Sequence, residues 1–272
     1  MGILIHWTDD EFKFFQILVK EKIGIHLAPH KKALLTSRLN KRLIKLNLES
    51  YYAYYKFITN KENAEELKLA IELITTNETY FFREEKHFIF LTEQLALQTS
   101  NSDEISIWSA ASSYGHEAYS TAMLLDDKCK VNWKILASDV NDKVLTAGRK
   151  GIFPNERLEL IPDKYFKKYC KKGTGPFDDK IRIVGELRKR IEFRNINLIN
   201  SFSELGPFDI IFLRNVMIYF DDKTKKDLIN RMYDVLKPGG FIFVGHSESL
   251  HGFESKLDRI QSAIYQRNYN AD

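Results

Sequence analysis

The apolar pattern of this chain changes period near residue 100, and the two periods call for different kinds of layer. Up to about residue 75 the apolar residues recur at helical spacing, as in D-E-F-K-F-F-Q-I-L-V-K-E-K-I-G (residues 10–24), S-Y-Y-A-Y-Y-K-F-I (50–58) and N-A-E-E-L-K-L-A-I-E-L-I-T (63–75). Thr8 with Glu11 three residues later is a capping box, Gly24 stops the first helix, and Pro29 opens the next. Beyond residue 100 the runs are short and rich in β-branched or aromatic residues: ISIWSA (105–110), WKILASDV (133–140), RIEFRNINL (190–198), FDIIFLRNV (208–216) and GFIFVGHSE (240–248). Helical stretches, EAYSTAMLLDD (117–127) and KTKKDLINRMYDVLK (223–237), lie between the first two and the last two. Strands alternating with helices predict an α/β domain, a parallel sheet with helices on its faces. SAIYQRNY (262–269) is expected as a final strand, and Pro238-Gly239-Gly240 as a helix stop and turn.

A chain of 272 residues has room for one large domain and one small one. The expected division is an all-helical domain over 1–75, a linker over 76–90 and the α/β domain over 91–272. A small β-subdomain is inserted at about 150–190, where Gly173, Gly175 and Pro176 suggest a hairpin between YFKKYC (165–170) and KIRIVG (180–185). No apolar run approaches the roughly 20 residues that span a bilayer, so no direct membrane insertion is expected. The N-terminus lacks a signal-peptide pattern, and Cys129 and Cys170 are too few for a disulfide framework, which predicts a reduced, cytoplasmic protein.

In an open parallel sheet ligands bind beyond the carboxyl ends of the strands. The first strand runs into W-S-A-A-S-S-Y-G-H-E-A-Y-S (108–120), with one glycine and no phosphate-binding lysine, a poor dinucleotide fingerprint. Glu117, at the start of the following helix, repels phosphate and attracts a cation. The second strand ends at Asp139, which suits either a ribose hydroxyl pair or a helix N-cap. A nucleoside without phosphates beside a carboxylate suggests S-adenosylmethionine. Arg214 and Asn215 interrupt the apolar run of the fourth strand, either as a satisfied buried pair or as groups facing a ligand, and Tyr219 lies on the turn beyond. His246, Ser247 and Glu248 are sequence neighbours without a G-x-S-x-G elbow and are expected as turn residues, the alternative being that they line the pocket. The seven histidines show no HxH or HExxH spacing, so no metal site is expected.

The segment 30–46 carries Lys31, Lys32, Arg38, Lys41, Arg42 and Lys45 and no acid, on a helix whose apolar residues fall on the other face. This basic face is either solvated surface or a dock for an acidic partner. It has no interleaved aromatics of the kind single-strand binders use, so nucleic acid is not expected as a partner.

Taken in order and spacing, TNETYFFR (76–83), WSAASSYGHEAYS, ASDV, RNVMIYFD (214–221), LKPGG (236–240) and GHSESL (245–250) resemble the CheR-type chemotaxis receptor methyltransferases. The resemblance covers nearly the whole chain. It implies a Rossmann-like S-adenosylmethionine-dependent methyltransferase domain preceded by a small all-α domain. The implied activity is that of a protein-glutamate O-methyltransferase. It would form glutamyl methyl esters on cytoplasmic methylation helices of chemoreceptors and release S-adenosylhomocysteine. It implies further that Asn77, Thr79 and Arg83 line the cofactor pocket and that Glu117 binds the methionine or sulfonium end. Asp139 would take the ribose hydroxyls, Asn197 and Leu198 border the adenine, and Arg214 and Asn215 sit near the methionine moiety. Arg83 and Tyr219 would position the reacting groups, the basic helix would dock acidic receptor helices, and the insert would lie where some members bind a tethering peptide at the receptor C-terminus. The chain departs from the family pattern at Tyr114, in place of Thr, and His116, in place of Glu. A methyltransferase for another substrate and a cofactor-binding sensor without turnover share these features. The base-lability of an ester product separates the first from the main reading, and cofactor binding without any transfer marks the second.

Overall fold

A computed structural model describes residues 4–97, 104–252 and 255–269. The chain forms two compact units, Met1–Thr76 with Tyr219–Asp221, and Asn77–Ile218 with Asp222–Asp272.

The first unit is helical: α1 (Asp9–Ile23), α2 (Lys32–Lys45), α3 (Tyr51–Thr59) and α4 (Ala64–Ile74). The expected capping box is present: the Thr8 hydroxyl accepts the Glu11 N–H at 3.2 Å, and Glu11 Oε2 accepts the Thr8 N–H at 2.8 Å. Gly24 ends α1 at φ 76°, a left-handed cap that glycine adopts without strain. Pro29 opens a 3₁₀ turn, Pro29–Lys31, and α2 itself begins only at Lys32. Leu35, Leu39 and Leu43, four residues apart on α2, are fully buried. Trp7 stacks on Tyr51 at 3.5 Å, with Phe15 edge-on to both.

The second unit begins with α5 (Glu85–Leu97). It continues through β1 (Glu104–Ser109), α6 (His116–Lys128), β2 (Asn132–Asp139) and α7 (Asp142–Lys150). The insert supplies β3 (Ile152–Pro154), α8 (Asp163–Tyr169), β4 (Cys170–Lys172), β5 (Lys180–Ile183) and α9 (Gly185–Arg188). Then come β6 (Ile191–Asn195), β7 (Phe208–Leu213), α10 (Asp222–Asp234), β8 (Leu236–Val244), β9 (Leu257–Gln261) and β10 (Ile264–Arg267). The main sheet has the order β6-β2-β1-β7-β8-β10-β9. From β6 to β8 neighbouring strands are parallel. β10 runs antiparallel to both β8 and β9, so the expected all-parallel sheet carries an antiparallel edge. β9 and β10 are joined by a two-residue turn and so pair antiparallel, and β10 folds back between β9 and β8. β2 lies on one side of β1 and β7 on the other, which puts the reversal of strand order at the carboxyl ends of β1 and β7. Phe88, Leu91, Ile107, Met123, Phe212 and Phe243 belong to one buried core against the sheet.

Two local expectations are corrected. Residues 236–240 continue β8, with Gly239 at φ 77° and a register irregularity opposite β7, instead of forming a separate turn. YFKKYC is mostly the last turns of α8, and only from Cys170 does the chain pair with β5. The turn between them does need its glycine: a Cβ on Gly173 would lie 1.8 Å from the Phe177 carbonyl oxygen. The insert is fastened to α6 by Tyr169 to Asp126 (2.7 Å) and Lys164 to Asp127 (2.9 Å).

Candidate active site at the carboxyl edge of the sheet

The turn after β1 is stitched to both neighbouring strands. The Ala110 N–H donates to the Phe212 carbonyl (2.9 Å) and the Ser112 N–H to the Ser138 carbonyl (2.8 Å). Small residues allow this close passage. A Cβ on Gly115, at φ 88°, would come within 2.9 Å of the Phe193 ring. Asp139, at the end of β2, accepts the N–H groups of Ser113 (2.9 Å) and Asn141 (3.0 Å). Burial raises its carboxyl pKa, and the backbone donors oppose that rise.

At the end of β7, Arg214 is buried between two carboxylates. Its Nη1 lies 2.8 Å from Glu117 Oε2 and its Nη2 lies 3.1 Å from Glu84 Oε2. It also donates to the Arg83 carbonyl. The Ser109 hydroxyl donates to the other oxygen of Glu117 at 2.6 Å. Asn215, at φ 57°, donates its side-chain amide to Glu84 Oε1 at 3.3 Å. One guanidinium therefore faces two carboxylates, and the cluster carries a net negative charge. His87, beside Glu84, does not offset it. Burial and the adjacent Arg214 charge push its pKa down to about 3, so it is neutral near pH 7.

The segment 76–83 lies against this edge. The Asn77 carbonyl accepts from Ser113 Oγ (3.1 Å) and the Phe82 N–H donates to Ser120 Oγ (2.9 Å). Phe81 is buried against His116 and Phe153, and Phe82 stacks on Tyr165 at 5.6 Å. Thr79 is half-buried in the same segment. Arg83 points back along it, donating to the Glu78 carbonyl at 2.9 Å. Phe82 (φ 54°) and Glu84 (φ 60°) both adopt left-handed backbone, a conformation costing about 1–3 kcal/mol each that clusters at functional sites. Asn197 and Leu198 follow β6 on the same edge. Asn197 Oδ1 accepts the Ile199 N–H at 3.3 Å, and Leu198 is buried. His116 is packed between Phe81 and Phe153, and burial lowers its pKa to about 4, so it contributes no charge to the turn near neutral pH.

Tyr219 belongs to the helical unit, where its carbonyl accepts the His26 N–H at 2.7 Å. The basic residues of α2 divide in two. Arg38 donates to the carbonyls of Ile74 (2.8 Å) and Thr75 (3.0 Å), and Arg42 forms a two-pronged pair with Glu66 (2.9 and 2.5 Å). Lys32 reaches Asp9 at 2.5 Å, Lys31 is half-buried, and Lys41 and Lys45 are exposed.

One carboxylate at this edge, Glu84, stands outside the sequence reading. Glu84 directly follows the TNETYFFR segment, and that position was the only signal for it. Glu248, expected as a turn residue, is buried beneath Asn215. Among the described residues, Glu84, His87 and His246 bring potential metal-ligating atoms within 4.8 Å of one another. The Glu84 carboxylate in that group is already engaged by Arg214, Asn215 and the His246 N–H.

Asp139 at the end of β2 and Arg214 with Glu84 and Glu117 at the end of β7 thus gather charged groups at the carboxyl edge of a Rossmann-like sheet, on either side of the strand-order reversal. Residues 77–266 match the model of the CheR methyltransferase S-adenosylmethionine-binding domain, and residues 10–75 match that of the CheR methyltransferase all-alpha domain. The chain is 41% identical over 264 residues to chemotaxis protein methyltransferase 2 of Pseudomonas aeruginosa, covering 96% of this chain and 94% of that protein. It is 38% identical to the chemotaxis protein methyltransferase of Salmonella typhimurium (95% and 90% covered) and 36% identical to that of Escherichia coli (95% and 91% covered). This chain belongs to the CheR methyltransferase family, and S-adenosylmethionine is its cofactor.

Proposed function

We propose that the protein transfers a methyl group to glutamate side chains on the cytoplasmic helices of chemoreceptors, forming glutamyl methyl esters in the cytoplasm during chemotactic adaptation. The observation that carries the cofactor side of this reading is the charge count around Arg214. One guanidinium against two carboxylates, with a neutral His87, leaves a partly buried excess of negative charge that suits a cationic ligand.

The residues fit the cofactor. Asp139 offers a carboxylate to a ribose diol. Glu117 and Arg214 offer both signs of charge to a zwitterionic methionine end, and Asn77, Thr79, Asn197, Leu198 and Asn215 complete the set of holding groups. When bound, S-adenosylmethionine supplies a methyl group on a positively charged sulfur. The chain's own residues then have to align and desolvate rather than move protons. A glutamate side chain has a reference pKa of about 4.3 and is already an anionic nucleophile at neutral pH. No general base is required of the site. Attraction between opposite charges fades as they neutralise each other, so orientation and exclusion of water are the main contributions available. Arg83 and Tyr219 are assigned to positioning the incoming carboxylate.

The exposed Lys41 and Lys45, one turn apart on α2, support docking of an acidic receptor helix there, and Lys31 and Lys32 at the other end of the helix extend the basic segment. The insert sheet β3-β5-β4 supports a further contact, an extended tethering peptide added along its edge. A transfer assay tests the whole reading. The protein is mixed with methyl-labelled S-adenosylmethionine and receptor-containing membranes, and the labelled product is treated with mild base. Label released as methanol is expected; base-stable label would place the protein with methyltransferases of another product class.

A further inference from the structure

Where β7 ends, the chain must leave the sheet while aiming Arg214 and Asn215 in fixed directions. It does so through a left-handed residue, Asn215 at φ 57°, followed by a tight turn at Met217–Tyr219. A non-glycine residue in that conformation needs its surroundings to hold it. The Asn215 side chain donates to Glu84, and its backbone is held by one buried side chain, Glu248. Glu248 Oε2 accepts the Asn215 N–H at 2.7 Å and the Gly245 N–H at 2.6 Å, and its Oε1 accepts the Ile218 N–H at 3.2 Å. The Glu248 N–H in turn donates to the Gly245 carbonyl at 2.8 Å. Backbone donors from the loop after β7 and the loop after β8 thus converge on a single carboxylate. Such a convergence of N–H groups is an anion-binding nest, filled here by the protein's own side chain. The loops are too close for anything larger: a Cβ on Gly245 would lie 2.5 Å from Asn215 Nδ2 and 2.8 Å from Glu248 Oε2.

We propose that Glu248 is a positioning residue of the cofactor site, clamping the backbone of Asn215 so that Asn215 and Arg214 present their side chains to the Glu84 and Glu117 carboxylates. The proposal rests on the reading that Arg214 and Asn215 hold the cofactor. Glu248 is not a catalytic residue, because its oxygens are turned to backbone N–H groups. Its effect passes through Asn215. Without the carboxylate, three backbone donors, the Asn215 N–H among them, lose a charge-assisted acceptor.

The test uses the full chain and S-adenosylhomocysteine as the probe, so that binding is read by calorimetry without turnover. Thermal unfolding reports whether each variant is folded. Glu248→Ala is expected to weaken binding by about tenfold or more, the loss of charge-assisted hydrogen bonds at 1.4 kcal/mol per factor of ten. The KM for S-adenosylmethionine rises in step, while kcat changes less. Glu248→Gln keeps one carbonyl acceptor and is expected to recover part of the loss. It also serves as the deciding variant should the alanine form not fold. Asn215→Ala separates the two premises. Binding is expected to fall in this variant, and adding Glu248→Ala to it should cost much less than in the parent, because coupled residues are not additive. Full additivity, or unchanged binding in both folded Glu248 variants, overturns the clamp. Unchanged binding in Asn215→Ala overturns the reading of the site itself, and the proposal with it.

Discussion

Each unit of this protein contains an arginine held by carboxylates out of bulk water, and the two clusters are built to opposite ends. In the helical unit, Arg42 meets Glu66 with both prongs, and the Tyr54 hydroxyl donates to the same carboxylate at 2.8 Å. The side chains are 18% and 11% exposed, and one charge answers one charge. At the sheet edge, Arg214 is 2% exposed and lies between Glu84 and Glu117, at 12% and 13%. There the anions outnumber the cation. A matched pair is a closed structure that ties α2 to its neighbours and asks for nothing further. An unmatched one is a standing invitation to a cation, maintained at the expense of stability. If the sheet-edge cluster is the proposed cofactor site, burial does not separate it from the structural pair at Arg42; the charge count does.

The largest effect that tests this contrast is Arg214→Met. It leaves Glu84 and Glu117 facing each other without a cation, and breaking a buried pair from one side costs about 3–5 kcal/mol. Denaturant unfolding should show that loss, and calorimetry should show no S-adenosylhomocysteine binding. A folded variant that binds normally would remove Arg214 from the site. Next in size, Glu117→Gln removes the excess charge while keeping the shape. S-adenosylmethionine is a sulfonium cation and S-adenosylhomocysteine is a neutral thioether. If the excess charge recognises the sulfonium, affinity for the former should fall by about tenfold, with a smaller change for the latter. Equal losses for the two would mean that Glu117 holds only the groups they share.

The elements that were legible in the sequence are those governed by local rules. The capping box at Thr8 and Glu11, the stripe Leu35-Leu39-Leu43 and the strand ends at Asp139 and Arg214 all follow from spacing. What was illegible depended on pairing across long separations. Glu84 and Arg214 are 130 residues apart, and Glu248 and Asn215 are 33 apart. Glu248 closes the expected turn, its N–H donating to the Gly245 carbonyl, but its carboxylate is held by backbone N–H groups, which leave no trace in side-chain patterns. The basic residues of α2 show the converse, since internal pairing separates residues that share a charge. Arg38 and Arg42 look like their lysine neighbours in sequence, yet Arg38 donates to carbonyls at the end of α4 and Arg42 is spent on Glu66.

That division sharpens the docking prediction. Charge reversal should be confined to Lys41 and Lys45, since reversing Arg42 would break an internal pair and confuse docking with stability. Lys41→Glu with Lys45→Glu should raise the KM for receptor several-fold, on the order of 1 kcal/mol, and flatten its dependence on salt. Binding of S-adenosylhomocysteine should not change. Kinetics that keep the parent's salt dependence would make this face simple solvated surface.

The smallest effect belongs to the closed cluster, and its pH dependence is more informative than its size. Replacing Arg42 by Met together with Glu66 by Gln removes both charges at once, which for a matched pair is often neutral in stability, and keeps an acceptor for the buried Tyr54 hydroxyl. At pH 7 the double variant should unfold within about 1 kcal/mol of the parent and bind S-adenosylhomocysteine equally well. In acid the two proteins should diverge. Burial works to raise the Glu66 pKa, but the hydrogen bonds from Arg42 and Tyr54 outweigh it, and the carboxyl sits below its reference of 4.5. A carboxyl depressed in the folded state gives stability that is present above the unfolded value and is lost as pH falls through the folded one. The parent should therefore lose this contribution below about pH 4.5, whereas the double variant has none to lose and its acid limb should be shallower. Parallel acid limbs would show that Arg42 and Glu66 are coupled too weakly to count as a closed pair, and the contrast with Arg214 would then rest on the sheet edge alone.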